Sequence, residues 1–164
     1  MGKYFDSLKD CKDAGRIFML IEKREYEEAY RVANEVGGNQ LPRELTLYLL
    51  KEYGVFPVDP LTKMEYVPEN YLYEGYAEDV VCVLHSGIRE IRAHAFRYAK
   101  IKRLVISASV EHIGKSALCL NGGEIVYEGS KQEFISKFFG KSMCFYQTRG
   151  QKVICEDGEI EISC

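Results

Sequence analysis

Residues 83–127 read VLHSGIREIRAHAFRYAKIKRLVISASVEHIGKSALCLNGGEIVY, and this stretch decides the fold because it matches itself. A shift of 22 residues, from 82 to 104, places apolar residues on apolar residues. The matched pairs are Cys82 with Leu104, Leu84 with Ile106, Ile88 with Val110, Ile91 with Ile113, Ala95 with Ala117, and Phe96 with Leu118. Self-similarity at a fixed interval of this size is typical of repeat architectures.

Weaker copies of the same unit flank this stretch. Val67, Tyr71 and Leu72 precede Ile91, Ala95 and Phe96 by 24 residues, and Ile125 and Tyr127 follow Leu104 and Ile106 by 21. Within a copy, alternating apolar residues predict a short strand with one buried face. Because each unit leaves apolar edges uncovered, we expect the copies to stack and their ends to be capped.

The first part of the chain has a different period. Apolar residues over positions 14–36 follow helical spacing, which residues 23–25 interrupt. This pattern predicts either one long helix or two helices joined by a turn. The piece EKREYEEAYRVAN is similar to a helix of a tetratricopeptide repeat, but any amphipathic helical hairpin fits it as well.

Glycines and prolines mark the ends of these helices. Gly37 predicts a helix end, and Pro42 suits the first turn of a further helix that ends at Gly54. Pro57 and Pro60 then break the helical pattern and mark a junction. We therefore expect two domains, a helical region over residues 1–66 and a repeat domain over residues 67–164.

The repeat text resembles the BspA-like leucine-rich repeat family over about residues 67–162. The positions that carry this resemblance are Ile106, Val110, Ile113, Gly114, Ala117 and Leu118, with Ser107 where the family usually has proline. The terminal segment is also similar, through the motif Tyr127-Glu-Gly129-Ser130, a helix over residues 131–139, and the strand and turn at 153–158. The resemblance implies a small right-handed solenoid with one strand per turn, and no enzyme.

Together these observations predict an α+β fold. We expect an N-terminal helical hairpin or bundle, followed by a short leucine-rich-repeat-type solenoid with a C-terminal helix–strand cap.

Composition limits the compartment and the chemistry. The N-terminus MGKYFDSLKD has no apolar signal region, and no apolar run approaches the ~18 residues of a membrane span. We therefore expect a cytoplasmic protein with no membrane partner. The six cysteines match no zinc spacing, so we interpret them as reduced thiols. Cys82 and Cys155 fall at repeat or terminal-strand positions, so we expect both to be buried. The sequence predicts no structural position for Cys11, Cys119, Cys144 and Cys164.

The sequence offers no convincing catalytic set. His85, His94 and His112 occupy different places in their units and share no spacing with a carboxylate or thiol partner. We expect no catalytic residue, cofactor or metal site.

Residues 89–103 concentrate positive charge in a chain whose net charge is −3. The basic residues are Arg89, Arg92, Arg97, Lys100, Lys102 and Arg103, with Tyr98 among them and Glu90 as the one acidic residue. Such a run is either a solvated face or a surface for an acidic protein or nucleic acid.

Tyrosines cluster at the junction between the two predicted domains. Tyr66, Tyr71, Tyr73 and Tyr76 either cover the end of the repeat array or anchor an interface, where tyrosine is enriched. Tyr73 and Tyr76 are therefore candidate partner-binding residues, together with the basic residues and Tyr98. We expect a non-catalytic protein–protein interaction module, in the context of a phage or mobile-element protein that binds and inhibits a host protein complex. The alternative is a nucleic-acid-binding accessory protein that uses residues 89–103.

Overall fold

The computed structural model describes residues 3–139 and 151–162. Four helices come first, namely α1 (Lys3–Asp10), α2 (Ala14–Glu22), α3 (Tyr26–Gly37) and α4 (Gln40–Tyr53). They are followed in chain order by β1 (Tyr66–Val67), β2 (Tyr76–Val83), β3 (Glu90–Ile91), β4 (Lys100–Ser107), β5 (His112–Ile113), β6 (Glu124–Glu128), α5 (Lys131–Phe138), β7 (Gln151–Cys155) and β8 (Gly158–Ile162).

The helices begin and end close to the turns and helix ends that the sequence predicted. Residues 23–25 form a turn between α2 and α3, and Arg24 has a φ of 59° there. The second of the two predicted alternatives, two helices with a turn, is therefore confirmed. Helix α4 ends at Gly54, whose φ is 69° and whose N–H donates to the Leu50 carbonyl. A left-handed residue after the last turn is the geometry that glycine favours.

The strands form two sheets. One has five strands in the order β2-β4-β6-β7-β8, and the other has three in the order β1-β3-β5. Among the described strands, all pairings are parallel except that of β7 with β8. Residues that the repeat matched at a spacing of 22 are paired directly across neighbouring strands, as Cys82 with Leu104 and Ile91 with Ile113 show. The repeat interval is therefore the register of the strand pairing.

Strand β2 contains a bulge at residues 78–80. Tyr76 and Ala77 pair with Lys100 and Ile101, whereas Val81 pairs with Arg103, so three residues of β2 lie opposite one residue of β4. The interval changes from 24 to 22 residues within this bulge. It therefore accounts for the longer spacing of the first copy.

The core runs without a break from the helices to the sheets. Buried residues of α2, α3 and α4 belong to one apolar cluster with the buried residues of both sheets. The rings of Tyr30 on α3 and Tyr71 after β1 have centroids 5.3 Å apart. The hydroxyl of Thr46 on α4 is hydrogen-bonded to the Tyr71 carbonyl.

The predicted fold class is therefore wrong. The chain is a mixed α/β protein with a five-stranded sheet, a three-stranded parallel sheet and five helices over the described residues, and not a helical bundle followed by a leucine-rich-repeat solenoid. The periodicity identified which residues pair. It did not show that the helices share a core with the sheets, or that β7 and the antiparallel β8 extend the larger sheet.

Helix α5 and the β7–β8 hairpin close the end of the larger sheet. The Ser130 hydroxyl accepts from the Glu133 N–H at 3.0 Å and caps α5. The ring of Tyr127 on β6 lies 5.1 Å from that of Phe134 and 6.1 Å from that of Phe138, centroid to centroid. These contacts cover the inner face of β6.

The cysteines divide by burial. Cys82 and Cys155 are buried, as predicted. Cys119 is buried too and Cys11 is half-buried, and within the described residues none of these four cysteines forms a disulfide. Cys144 and Cys164 lie outside the described residues. In the described part of the chain, no helix is both long enough and apolar enough to cross a bilayer.

Candidate functional site

The basic residues of 89–103 do not form one continuous stripe. Arg89 and Arg92 flank β3 in the three-stranded sheet, and Arg97 lies in the turn between β3 and β4. Lys100, Lys102 and Arg103 lie on β4, in the larger sheet. Residues that are close in sequence are thus divided among two sheets and the connection between them.

The arginines beside β3 already have partners. Arg89 lies 3.9 Å from a Glu111 carboxylate oxygen, and Arg92 lies 3.6 Å from one of Glu90. The Arg92 guanidinium also stacks over the Tyr66 ring, 3.7 Å from its centroid. Exposed pairs of this kind contribute about 0–1 kcal/mol to stability, but they reduce the charge that is available to a ligand.

His94, Arg97 and Tyr98, in the turn after β3, form a small aromatic and cationic cluster with Tyr73 from the connection between β1 and β2. The Arg97 guanidinium donates to the Tyr98 hydroxyl at 3.2 Å, and this bond raises the pKa of Arg97. Tyr73 and His94 meet edge to face with centroids 6.5 Å apart. Burial lowers the pKa of His94, and the charges of Arg97 and Lys115 lower it further. His94 is therefore neutral at pH 7.

The cations on β4 face acidic neighbours. Lys100 lies 2.7 Å from a Glu78 oxygen, and Arg103 lies 2.7 Å from one of Glu124 on β6. The Lys100 hydrogen bond holds the pKa of Glu78 below its ordinary value. Lys102 is exposed. The cations of this face are thus largely compensated by carboxylates on neighbouring strands.

A groove lies between α4 and the start of β2, and it includes the candidate residue Tyr76. Its volume is about 520 Å³. Its apolar lining consists of Leu47, Tyr48, Leu50, Tyr76, Ala77 and Val80, and we call this space the α4–β2 groove. Tyr76 is 60% exposed at its rim, where the Lys100 ammonium lies 5.4 Å from the ring centroid.

The rim of the α4–β2 groove is acidic. Glu52, Glu78 and Asp79 border it, opposed by Lys51. Glu78 is engaged by Lys100 and by the Tyr76 hydroxyl. The remaining charges favour a positively charged ligand group over a negative one.

The groove was missed by the sequence analysis, although one signal for it was present. Residues 47–50 of α4 are consecutively apolar, which is more than one helix face can bury against a core. Leu49 is fully buried, whereas Leu47 and Leu50 are partly exposed and face the groove. A run of this kind predicts a second apolar contact.

The outer face of the larger sheet carries an apolar row beside the groove. Val83, Val105, Val126 and Ile154 are successive register partners across β2, β4, β6 and β7. The row is most exposed at β2, where Val81 is 41% and Val83 is 44% accessible. Apolar surface therefore continues from the groove onto the outer face at this edge.

A second depression, of about 360 Å³, lies where α3 begins beside the segment before β1. Charged residues dominate its lining, and Arg31 in it forms ion pairs with Glu28 and Glu35. Because its lining is mostly charged and two of those charges, Glu28 and Arg31, already pair with each other, it is the weaker candidate site.

The described residues hold no group of three or more His, Cys, Asp or Glu side chains that could bind a metal ion. Comparison of the chain with family models, with curated proteins and with solved structures finds no match.

Proposed function

We propose that the chain is a non-catalytic protein-binding module whose contact surface is centred on the α4–β2 groove. The observation that carries the proposal is the groove itself, an apolar space rimmed by an exposed tyrosine at the end strand of a sheet. Buried apolar anchors with an aromatic side chain at the centre are the usual energetic core of protein interfaces.

The proposed partner is a protein complex of a host, with the chain acting as an inhibitor from a phage or mobile element. Small size and the absence of a recognisable catalytic set in the sequence support this context. The resemblance of the repeats to BspA-like proteins agrees with a binding role, since such a resemblance implies no enzyme.

Partner capture with matched variants tests the proposal. Host lysate is passed over immobilised wild-type chain, over Tyr76→Ala, which removes the exposed anchor, and over Leu61→Ala as control. Leu61 is a large apolar side chain that is 88% exposed and does not line the groove. We expect one protein to be retained in stoichiometric amount by the wild type and the control, and about tenfold less by Tyr76→Ala. Equal retention by all three, or none by the wild type, would contradict the proposal.

Nucleic-acid binding through residues 89–103 stays a prediction. It requires retention on DNA or RNA that weakens as salt increases and with charge reversal at Arg97 and Arg103. The carboxylate and aromatic partners of these cations give it less support than the groove gives to protein binding.

A further inference from the structure

We propose that the partner segment is an extended strand that pairs with the free edge of β2, with apolar side chains on both faces and a lysine or arginine beside Asp79. This inference rests on the proposed function and specifies its binding mode.

The first step is the open backbone of β2. This strand ends the five-stranded sheet and has β4 as its paired neighbour among the described residues. The Leu84 N–H donates to the Val105 carbonyl at 2.9 Å, so alternate residues of β2 point their backbone groups towards β4. The N–H and C=O groups of Val81 and Val83 therefore point away from β4, where an added strand could bond to them.

The second step is the contrast between the two edges of this sheet. Natural sheets protect free edges with charged side chains. The other edge strand, β8, carries the exposed Glu159 and Glu161. In β2 the exposed charges, Glu78 and Asp79, are confined to the bulge, and the rest of its edge exposes the apolar Val81 and Val83. An edge that stays apolar beyond its bulge, in a sheet whose opposite edge is charged, indicates a surface that is covered in use.

The third step is the environment on each face of the added strand. On the outer face, its side chains would extend the row that begins with Val83 and Val105. On the other face, they would enter the α4–β2 groove against Leu47 and Leu50. Because both environments are apolar, the partner strand should be apolar on both faces at these positions, unlike an ordinary solvent-facing edge strand.

The fourth step is charge. Within the described chain, neither Glu52 nor Asp79 forms an ion pair, while Glu78 is engaged by Lys100. Asp79 lies in the bulge, two residues before Val81, where the regular pairing of β2 with β4 resumes. A cationic residue of the partner placed there gains a complementary charge, and an acidic one is repelled.

The experiment uses a random linear dodecapeptide library panned against the immobilised full chain. We expect enriched peptides with apolar residues at successive positions and at least one lysine or arginine. By fluorescence polarisation, their affinity should fall at least about tenfold for Asp79→Lys and for a peptide with glutamate in place of its cation. Combining the two changes should restore binding. Glu65→Lys, an exposed charge reversal away from the groove, should have no effect.

A backbone test separates strand addition from other docking. N-methylation of the peptide amides that face β2 should abolish binding, because it removes donors without altering side chains. Val81→Pro removes an outward N–H of the protein at an edge position where proline is tolerated, and should weaken binding similarly.

Three results would overturn this inference. They are no enrichment over bare resin, equal binding of N-methylated peptides, and a wild-type dimer that Val81→Pro dissociates, which would identify a second copy as the occupant. Partner capture that depends on Tyr76 would leave the proposed function standing in each case.

Discussion

At the scale of single residues, the Thr46 hydroxyl joins the helical part of the chain to the strands. It lies 2.6 Å from the Tyr30 hydroxyl and 3.0 Å from the Pro42 carbonyl oxygen, and it also bonds to the Tyr71 carbonyl. All of these groups are buried. Each of them would lose a partner if this hydroxyl were removed.

We expect Thr46→Val to lower the free energy of unfolding by about 1–3 kcal/mol, because it leaves buried polar groups without a bond while preserving side-chain shape. Urea denaturation followed by circular dichroism measures the change. Thr62→Val is the control, since Thr62 bonds only locally to the Asp59 carbonyl in a partly exposed loop. A loss as large in the control would show that the network has no special role.

Buried acids predict how stability depends on pH. Burial raises the pKa of Tyr30 and Tyr71 well above the ordinary 10.0, and burial raises that of Cys82 above 9.0. The unfolded chain releases these protons at their ordinary values and the folded chain retains them. The stabilisation that these three groups contribute is therefore fully present below about pH 9 and is lost as the pH rises further.

Tyr30→Phe should reduce this loss by up to about 1.4 kcal/mol per pH unit above pH 10, because it removes one of the groups whose pKa is raised. The measurement is urea denaturation from pH 8 to 11, with Tyr53→Phe as the exposed control. An unchanged slope in Tyr30→Phe would refute the assignment.

What the sequence could predict at this scale depended on strand position. Cys82 and Cys155 were correctly predicted as buried because alternation assigns faces along a strand. The partners of the basic residues were not predictable in this way. Arg103 meets Glu124 only because β4 and β6 pair in one register, and a charge count along the chain contains no such information.

At the scale of elements, the turn before β6 depends on two glycines with different surroundings. Gly122 has a φ of 92° and open space where a Cβ would be. Gly123 has a φ of 97°, and a Cβ there would overlap the Ile101 carbonyl oxygen. Alanine substitutions at the two positions therefore separate the free-energy cost of backbone strain from the cost of a steric clash.

Gly122→Ala should cost about 1–2 kcal/mol through the left-handed backbone alone. Gly123→Ala should cost more, because Ile101 belongs to β4 and must shift from its place in the sheet. Thermal unfolding of both variants provides the comparison. Equal melting temperatures would show that the turn moves freely away from β4.

The elements themselves were more predictable than their assembly. Helical period and punctuation located α2, α3 and α4, and the repeat interval located the pairing of β2, β3 and β4 with their neighbours. The α4–β2 groove was not predicted, because it depends on how a helix from the first part of the chain lies against a strand from the second.

At the scale of the whole molecule, α5 and the β7–β8 hairpin cover the core of the larger sheet. Deleting residues 129–162 should expose the inner face of β6 around Tyr127 and cause aggregation, measured by light scattering. The point variant Phe134→Ala should destabilise by about 3–5 kcal/mol, since this ring is fully buried. Ile135→Ala, at an exposed neighbour, should be nearly neutral. A soluble, cooperatively folded deletion would contradict this role.

The fold class was wrong at this scale for a physical reason. Periodicity reports local strands and turns, whereas architecture depends on which apolar faces bury one another. Here the face of α4 and the ring of Tyr30 fill the same core as Tyr71 and the strands. Such long-range packing leaves no regular mark on the sequence.

The bulge of β2 has a consequence for changes in chain length. It takes up two surplus residues while the pairings on both sides of it stay in step with β4. Length can therefore vary at residues 78–80 without shifting the strands on either side. A short epitope tag inserted there should preserve the fold and obstruct the neighbouring α4–β2 groove. Such an insertion would therefore abolish binding at this surface without unfolding the protein.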